Sequence, residues 1–206
     1  MTGGESEKFG GGFAVLAENT WTAFSAAELV EVDWGPAPYP DTTDGIMAVI
    51  AGALDDGIGQ GDNLRNDGDV DLAFADVPRD RLVEARYQVP YLAHATMEPM
   101  NATAQMKDGK LEIWAGTQAP TLVRSDCASE TGFEEENVQV HSTFLGGGFG
   151  RRGEVDFPRF AARVAQRGDA VLKGRPVQVV WTREEDMTHA TYRPAAMSQW
   201  RARLGD

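Results

Sequence analysis

Alternation of apolar and polar positions is sharpest over Val138 to Phe144, where Val138, Val140, Ser142 and Phe144 fall on one side and Gln139, His141 and Thr143 on the other. A period of two predicts a strand. Downstream the period changes: Phe157, Phe160, Ala161, Val164 and Ala165 recur at helical spacing, beginning near Pro158 and stopping at Gly168, which predicts a helix. The stretch between them, FLGGGFGRRGE, is therefore a strand-to-helix turn. Backbone without Cβ atoms can approach a ligand closely there and aim its N–H groups at an anion. A phosphate- or pterin-sized partner fits that turn, and a tight surface turn is the plain alternative. Gly148, Gly150 and Gly153 also satisfy G-x-G-x-x-G, but a dinucleotide fold wants an acidic residue about 20 positions on, at the end of the next strand. Here that strand, PVQVVW, ends at Trp181, and Glu184 lies too far past Gly153.

The same patterns organise the rest of the chain. FAVLA, a short helix capped by Asn19 or Thr20 and running to Ala27, and LVEVDW predict strand, helix and strand over residues 13–34. Three short elements cannot enclose a core, so this stretch reads as the end of a domain or an annex packed on the later elements. The prolines of GPAPYP mark a boundary. Thr43 then caps a predicted helix whose Ile46, Val49, Ile50, Ala53 and Leu54 share a face. Gly, Asp and Asn crowd residues 55–71 without the spacing or closing Glu of a calcium loop, which favours a solvated loop. Leu82 to Val89 reads as a strand, and NATAQMKDGKLEIWAG as a hairpin turned at Asp108-Gly109. Gln118 follows at once, ahead of Ala119-Pro120 and a helix carrying Leu122, Val123, Cys127 and Ala128, closed by Gly132. Gln118 and the glycine loop thus each stand at a strand-to-helix junction, where mixed folds place ligands. Whether the two junctions share one sheet end is not written in the pattern. After PVQVVW, Arg183, Glu184, Glu185 and Asp186 read as a solvated turn, and an extended segment closes the chain.

Composition narrows the partners. With 206 residues, 42% hydrophobic and 25% charged, the chain can bury a genuine core in one domain or slightly more. Its net charge of −13 repels polyanions and argues against nucleic acid or an anionic membrane as the main partner. Cys127 is the only cysteine, so this chain forms no internal disulfide and holds no cysteine-ligated iron–sulfur cluster. It reads as a small hydrophobe on a buried helix face. His94, His141 and His189 show no paired metal-ligand spacing and read as structural or exposed, and no metal site made by protein ligands is expected. The opening MTGGESEKFGGG is polar and reads as loose. It carries no export signal, and cytoplasm and periplasm both stay open.

Taken in order over residues 83–204, YLAHATMEPMNATA, LEIWAGTQAP, FLGGGFGRR and VQVVWTREEDM resemble the molybdopterin-binding subunit of the molybdenum hydroxylases, the xanthine dehydrogenase and aldehyde oxidase family. Within it, the resemblance is to the isoquinoline 1-oxidoreductase beta-subunit branch and its membrane-linked aldehyde dehydrogenase relatives. AVLAENTWTAFSAAELVEVDW resembles the end of that family's α/β hammerhead domain. The resemblance implies an α+β fold of mixed sheets with covering helices. Residues 1–40 would be the C-terminal remnant of the hammerhead domain and residues 41–206 the N-terminal half of the molybdopterin-binding domain. It implies cofactor contacts at Gln118, beside the apical ligand of molybdenum, and at Gly147, Gly148, Phe149 and Gly150, whose backbone passes over the metal centre. Arg151 and Arg152 match the isoquinoline-type branch and could meet a cofactor phosphate, a plain surface role being the alternative. Glu98, in MEPMN, reads as a carboxylate bracing Asn101.

In that family molybdenum is held by the dithiolene sulfurs of the pterin, here expected as molybdopterin cytosine dinucleotide, so no His/Cys cluster is required. Family members run several hundred residues further. Their general-base glutamate lies in that later half, in a G-x-G-E context expected beyond Asp206, and no catalytic residue is expected in this chain. Their iron–sulfur clusters sit on another subunit or domain. The resemblance thus implies part of an oxidoreductase that hydroxylates a small aldehyde or an N-heterocycle carbon with oxygen from water. This part alone is expected to be inactive, to bind the cofactor weakly or not at all, and to self-associate through the apolar surface of an incomplete hammerhead. Two other readings stay open: a cofactor-free binding or assembly module of the same fold, and a nucleotide-binding domain built on the G-x-G-x-x-G match.

Overall fold

Helices α1 (Thr20–Ala27), α2 (Thr43–Asp56) and α3 (Val70–Phe74) precede the strand β1 (Leu82–Val89). The strands β2 (Asn101–Lys107) and β3 (Lys110–Ala115) follow, then α4 (Pro120–Thr131), β4 (Val138–Ser142), α5 (Asp156–Arg167), α6 (Asp169–Leu172), β5 (Val177–Val180), α7 (Arg183–Thr188) and β6 (Ala196–Arg203). The computed structural model describes residues 12–56, 61, 65 and 67–205. The loose opening and most of the Gly/Asp/Asn-rich loop expected over 55–71 lie outside the described residues. By internal contacts the chain divides into two compact units.

The first unit takes in residues 93–192 together with the chain up to Asp33. Its sheet runs β4-β3-β2-β5. Asp108 and Gly109, at φ 52° and 74°, turn the β2–β3 hairpin with both central residues left-handed, as a two-residue turn requires. β4 lies parallel to β3, with Ile113 opposite Val140 and Ala115 opposite Ser142, whereas β5 is antiparallel to β2. Because side chains alternate between faces, this register puts Ala102, Ala104, Leu111, Ile113, Ala115 and Val138 on one side, where all are buried. Against that side α4 packs Val123, Cys127 and Ala128, and α5 packs Phe157, Ala161, Ala162 and Ala165. Mixed sheet and covering helices are thus present, as the α+β reading requires.

α4 opens at Pro120, whose missing N–H is no loss in the first turn, and closes on Gly132 at φ 75°. Leu122, expected on its apolar face, points to solvent instead, and Val123 and Cys127 face the core. Arg159 and Arg163 of α5 pair with Asp126 and Glu130 of α4 at 3.4 Å and 2.5 Å, matching the polar rims of the two helices. Phe144, grouped by pattern with the apolar side of β4, is fully exposed because the strand ends at Ser142. Asn19 caps α1, its Oδ1 accepting from the Thr22 N–H at 2.9 Å. FAVLA and LVEVDW, predicted as strands, form no ladder. A strand is stabilised only when a neighbour accepts its backbone hydrogen bonds, and neither segment has such a neighbour among the described residues.

The second unit takes in residues 34–92 and 193–205. β1 pairs antiparallel with β6, Ala85 opposite Trp200 and Tyr87 opposite Ser198. One face of this ribbon carries Val83, Ala85, Tyr87, Val89 and Trp200, the other Glu84, Arg86, Gln88, Met197 and Arg201. α2 attends the second face: Asp55 pairs with Arg86, and Met47, Ala48 and Ala51 line a cleft with Gln88, Pro90 and Met197. The capping residue of α2 is Thr42, one position before the expected Thr43, its Oγ1 accepting from the Gly45 N–H at 3.1 Å.

Candidate functional site

Parallel pairing of β3 with β4 sets the C-terminal ends of two adjacent strands side by side, and both junctions picked out in the sequence issue from that edge. The backbone already binds them: Gln118 N–H donates to the Arg152 carbonyl at 2.8 Å, and Thr143 N–H to the Ala115 carbonyl at 3.1 Å. Thr117 Oγ1 donates to the same Arg152 carbonyl at 3.2 Å and accepts from Ala119 N–H at 3.0 Å. Gln118 reaches the glycine loop through its side chain, where Oε1 accepts from the Gly150 N–H at 3.2 Å. A Cβ on Gly148 would meet that same oxygen at 2.6 Å, so the bare backbone leaves room for the amide. Gln118, Gly148 and Gly150 are therefore one cluster.

Within the loop, Gly147, Phe149 and Gly150 take φ of 102°, 56° and 97°. The left-handed conformation costs a non-glycine residue such as Phe149 roughly 1–2 kcal/mol, which the surrounding contacts must hold in place. Its ring is largely exposed, edge against Gly147. The N–H groups of Gly147, Gly148 and Phe149 donate to no other group among the described residues. Because Oε1 of Gln118 faces a donor, its Nε2 is the outward-facing end of the amide, a donor with two hydrogens. Three backbone N–H groups without a partner among the described residues thus lie in the loop that Gln118 contacts, and successive free N–H groups in left-handed backbone are the raw material of a nest that receives an electron-rich group.

Beneath the loop lie two arginines. Both were open to a surface role in the sequence, and both are buried, 1% and 0% exposed. Arg151 forms a two-pronged ion pair with Asp156 at 2.8 Å and 2.7 Å and sits 5.4 Å from the centre of the Trp181 ring. Arg152 donates to the carbonyls of Gly147 (2.8 Å), Gly116 (3.1 Å) and Glu98 (3.0 Å) and to Glu98 Oε2 (2.7 Å). Glu98 also accepts from Asn101 Nδ2 at 2.9 Å, the bracing contact expected, and from Gly146 N–H at 2.7 Å. Burial pushes the Glu98 carboxyl up, but the hydrogen bonds from Asn101 and Gly146 and the charge of Arg152 outweigh it and hold the group below its ordinary value.

One further element of this end was missed. Residues 183–186, read as a solvated turn, form the start of α7, with Thr182 Oγ1 accepting from Glu185 N–H at 3.1 Å. Asp186 is buried against Arg183 at 2.8 Å, and Arg183 also donates to the carbonyls of Thr96 and Met97. The T-x-x-E spacing of a capped helix start was the available signal. Cys127 is buried as expected, and burial pushes its thiol up to about 12. His189 packs on Trp181 and Phe160, and His141 stacks on Trp114 while contacting Glu112 at 3.0 Å. Among the described residues no group of three or more His, Cys, Asp or Glu could hold a metal ion, and no helix is long and apolar enough to cross a membrane. Gly153 of the G-x-G-x-x-G match ends a 3₁₀ turn at Arg151–Gly153, and β4 and β5 occupy opposite edges of the sheet. The adjacent parallel strands and helix start of a dinucleotide site are therefore not built around it.

Comparison with known proteins adds a lineage to this geometry. A family profile for a molybdopterin cofactor-binding domain matches residues 58–204. The chain is 31% identical over 191 residues to a membrane-bound aldehyde dehydrogenase (pyrroloquinoline-quinone) of Gluconacetobacter polyoxogenes, covering 93% of this chain and 24% of that protein. It is 34% identical over 127 residues to isoquinoline 1-oxidoreductase subunit beta of Brevundimonas diminuta, covering 61% and 16% respectively. The fold matches quinoline 2-oxidoreductase from Pseudomonas putida 86 with a TM-score of 0.68 at 21% identity, over 91% of this chain and 24% of that one. The chain thus spans about a quarter or less of the length of these relatives.

Proposed function

Because the chain belongs to the molybdopterin cofactor-binding domain family, we propose that it supplies one wall of a molybdenum-cofactor site in an oxidoreductase of the molybdenum hydroxylase type. The observation that carries this reading is the contact of Gln118 Oε1 with Gly150 N–H across 32 residues of sequence, which turns the amide nitrogen outward beside the loop's N–H groups. The donor set fits the group: it offers hydrogens to an oxygen-rich cofactor and no metal ligands, as suits a metal held by the cofactor's own sulfurs. When bound, that cofactor supplies transfer of water-derived oxygen to a substrate carbon with removal of two electrons.

The chain's own residues bind and orient. Gln118 donates through Nε2, and Gly147, Gly148 and Phe149 donate through their backbone. Gly150 keeps the Gln118 side chain in place. Arg151, its guanidinium committed to Asp156, supports the loop from below. Residues 41–206 act as the first half of the cofactor domain, and residues 1–40 as the end of a hammerhead domain. The rest of the subunit brings the general base, an iron–sulfur partner takes the electrons, and the substrate is a small aldehyde or N-heterocycle, in keeping with the names of the relatives. Alone, the chain is inactive and holds the cofactor weakly.

Made together with the remainder of its subunit in a host that assembles the cofactor, the protein is expected to carry about one molybdenum per chain by elemental analysis. Acid hydrolysis should release a cytosine nucleotide. Gln118→Ala should lower metal retention about tenfold. Molybdenum-free protein from cells in which another molybdenum hydroxylase is fully loaded would overturn the reading and favour a cofactor-free binding module.

A further inference from the structure

The donors of the candidate site do not hold themselves in place. One guanidinium, that of Arg152, joins three chain segments that are distant in sequence: the loop at Gly147, the end of β3 at Gly116, and the turn before β2 at Glu98. Glu98 returns the contact. Its Oε2 takes both Arg152 Nη2 and the Gly146 N–H, and its own N–H donates to the Gly146 carbonyl at 3.1 Å. A Cβ on Gly146 would run into the Glu98 side chain, so the strap closes only on a glycine.

We propose that Glu98 and Arg152 are the positioning pair of this site, fixing the backbone of Gly146 to Gly150 and with it the direction in which Gln118 and the loop's N–H groups point. What those donors bind rests on the cofactor reading above; that this pair aims them does not. The planar fork of an arginine is required, because its four hydrogen bonds run in the plane of the guanidinium to acceptors on three segments, and an ammonium has at most three rotatable donors and no such plane. Around Glu98 the charged groups are Arg152, which faces it directly, and Arg151, Asp186 and Arg183 behind. Asp186 acts on Arg152 by charge, and Arg183 holds the carbonyls of Thr96 and Met97.

The test needs no cofactor. In the isotope-labelled chain, amide exchange at Gly146 and Gly150 and the side-chain NH₂ signals of Gln118 report the loop. Glu98→Gln turns one acceptor into a donor facing Arg152, and Arg152→Lys removes the fork. Each is expected to speed exchange at Gly146 at least about tenfold and to move the Gln118 signals toward those of a solvated amide, with the β2–β3 amides unchanged. Arg163→Lys, on the far side of the α4–α5 contact, should leave the loop signals as they were. Folded variants with wild-type signals at Gly146, Gly150 and Gln118 would overturn the proposal. Should either variant fail to fold, the wild-type chain still decides: its Gly146 amide shift should follow protonation of Glu98, with a midpoint below that of an ordinary glutamate. A Gly146 signal flat through that range would equally overturn it. Failure of the molybdenum test leaves these outcomes untouched.

Discussion

Two sheet faces of similar apolar character meet opposite fates in this chain. The face of β2, β3 and β4 that carries Ala102, Ala104, Leu111, Ile113 and Val138 is shut off by α4 and α5. The face of the β1–β6 ribbon that carries Tyr87, Val89 and Trp200 stays 61%, 53% and 64% exposed. Among the described residues every buried one lies between Thr96 and Asp186. The difference lies in covering layers rather than in the choice of side chains: four strands under two helices enclose a core, whereas two strands with one helix on the polar side do not. Stability within the chain should follow the same division.

Three measurements probe this contrast between enclosed and open faces. The largest effect is expected at the buried ion pair: Asp156→Ala strands the Arg151 guanidinium and should cost about 3–5 kcal/mol in urea unfolding. A loss under about 1 kcal/mol would show that water reaches the pair and that the enclosed side is less closed than its burial implies. A smaller and purely kinetic contrast is expected at Cys127. With its thiol buried and pushed up to about 12, it should react with a thiol reagent near pH 8 only as fast as the unit unfolds, and addition of urea should restore the rate of a free thiol. Rapid labelling of the native chain would place the α4–α5 contact among the loose regions. The smallest effect belongs to the ribbon: Trp200→Ser should change stability by no more than about 0.5 kcal/mol. A large loss there would mean that the exposed face is covered in solution.

Much of this architecture could be read in advance. The hairpin at Asp108-Gly109, the capped ends of α4, the extent of β1, the helix after the glycine loop and the bracing of Asn101 by Glu98 each depend on a few neighbouring residues, and each stands where the pattern put it. So does the family relationship, carried by motifs whose order along the chain is itself a sequence property. The failures are equally instructive. FAVLA and LVEVDW have strand patterns but no partner strand among the described residues, and Arg183 to Asp186 form the start of a helix whose Asp186 is sequestered by packing that polarity alone argued against. Arg151 and Arg152, left open between a cofactor phosphate and the surface, are among the largest fully buried side chains, which rules out the surface alternative.

Where the backbone bends and which stretches alternate is settled within the chain's own local chemistry, because glycine conformation, proline placement and side-chain period act over a handful of residues. The meeting of Gln118 with Gly150 belongs to the three-dimensional arrangement alone. It depends on β4 choosing β3 as a parallel neighbour, a pairing between segments whose hydrogen-bonding edges are chemically alike, and on Arg152 finding acceptors on three segments at once.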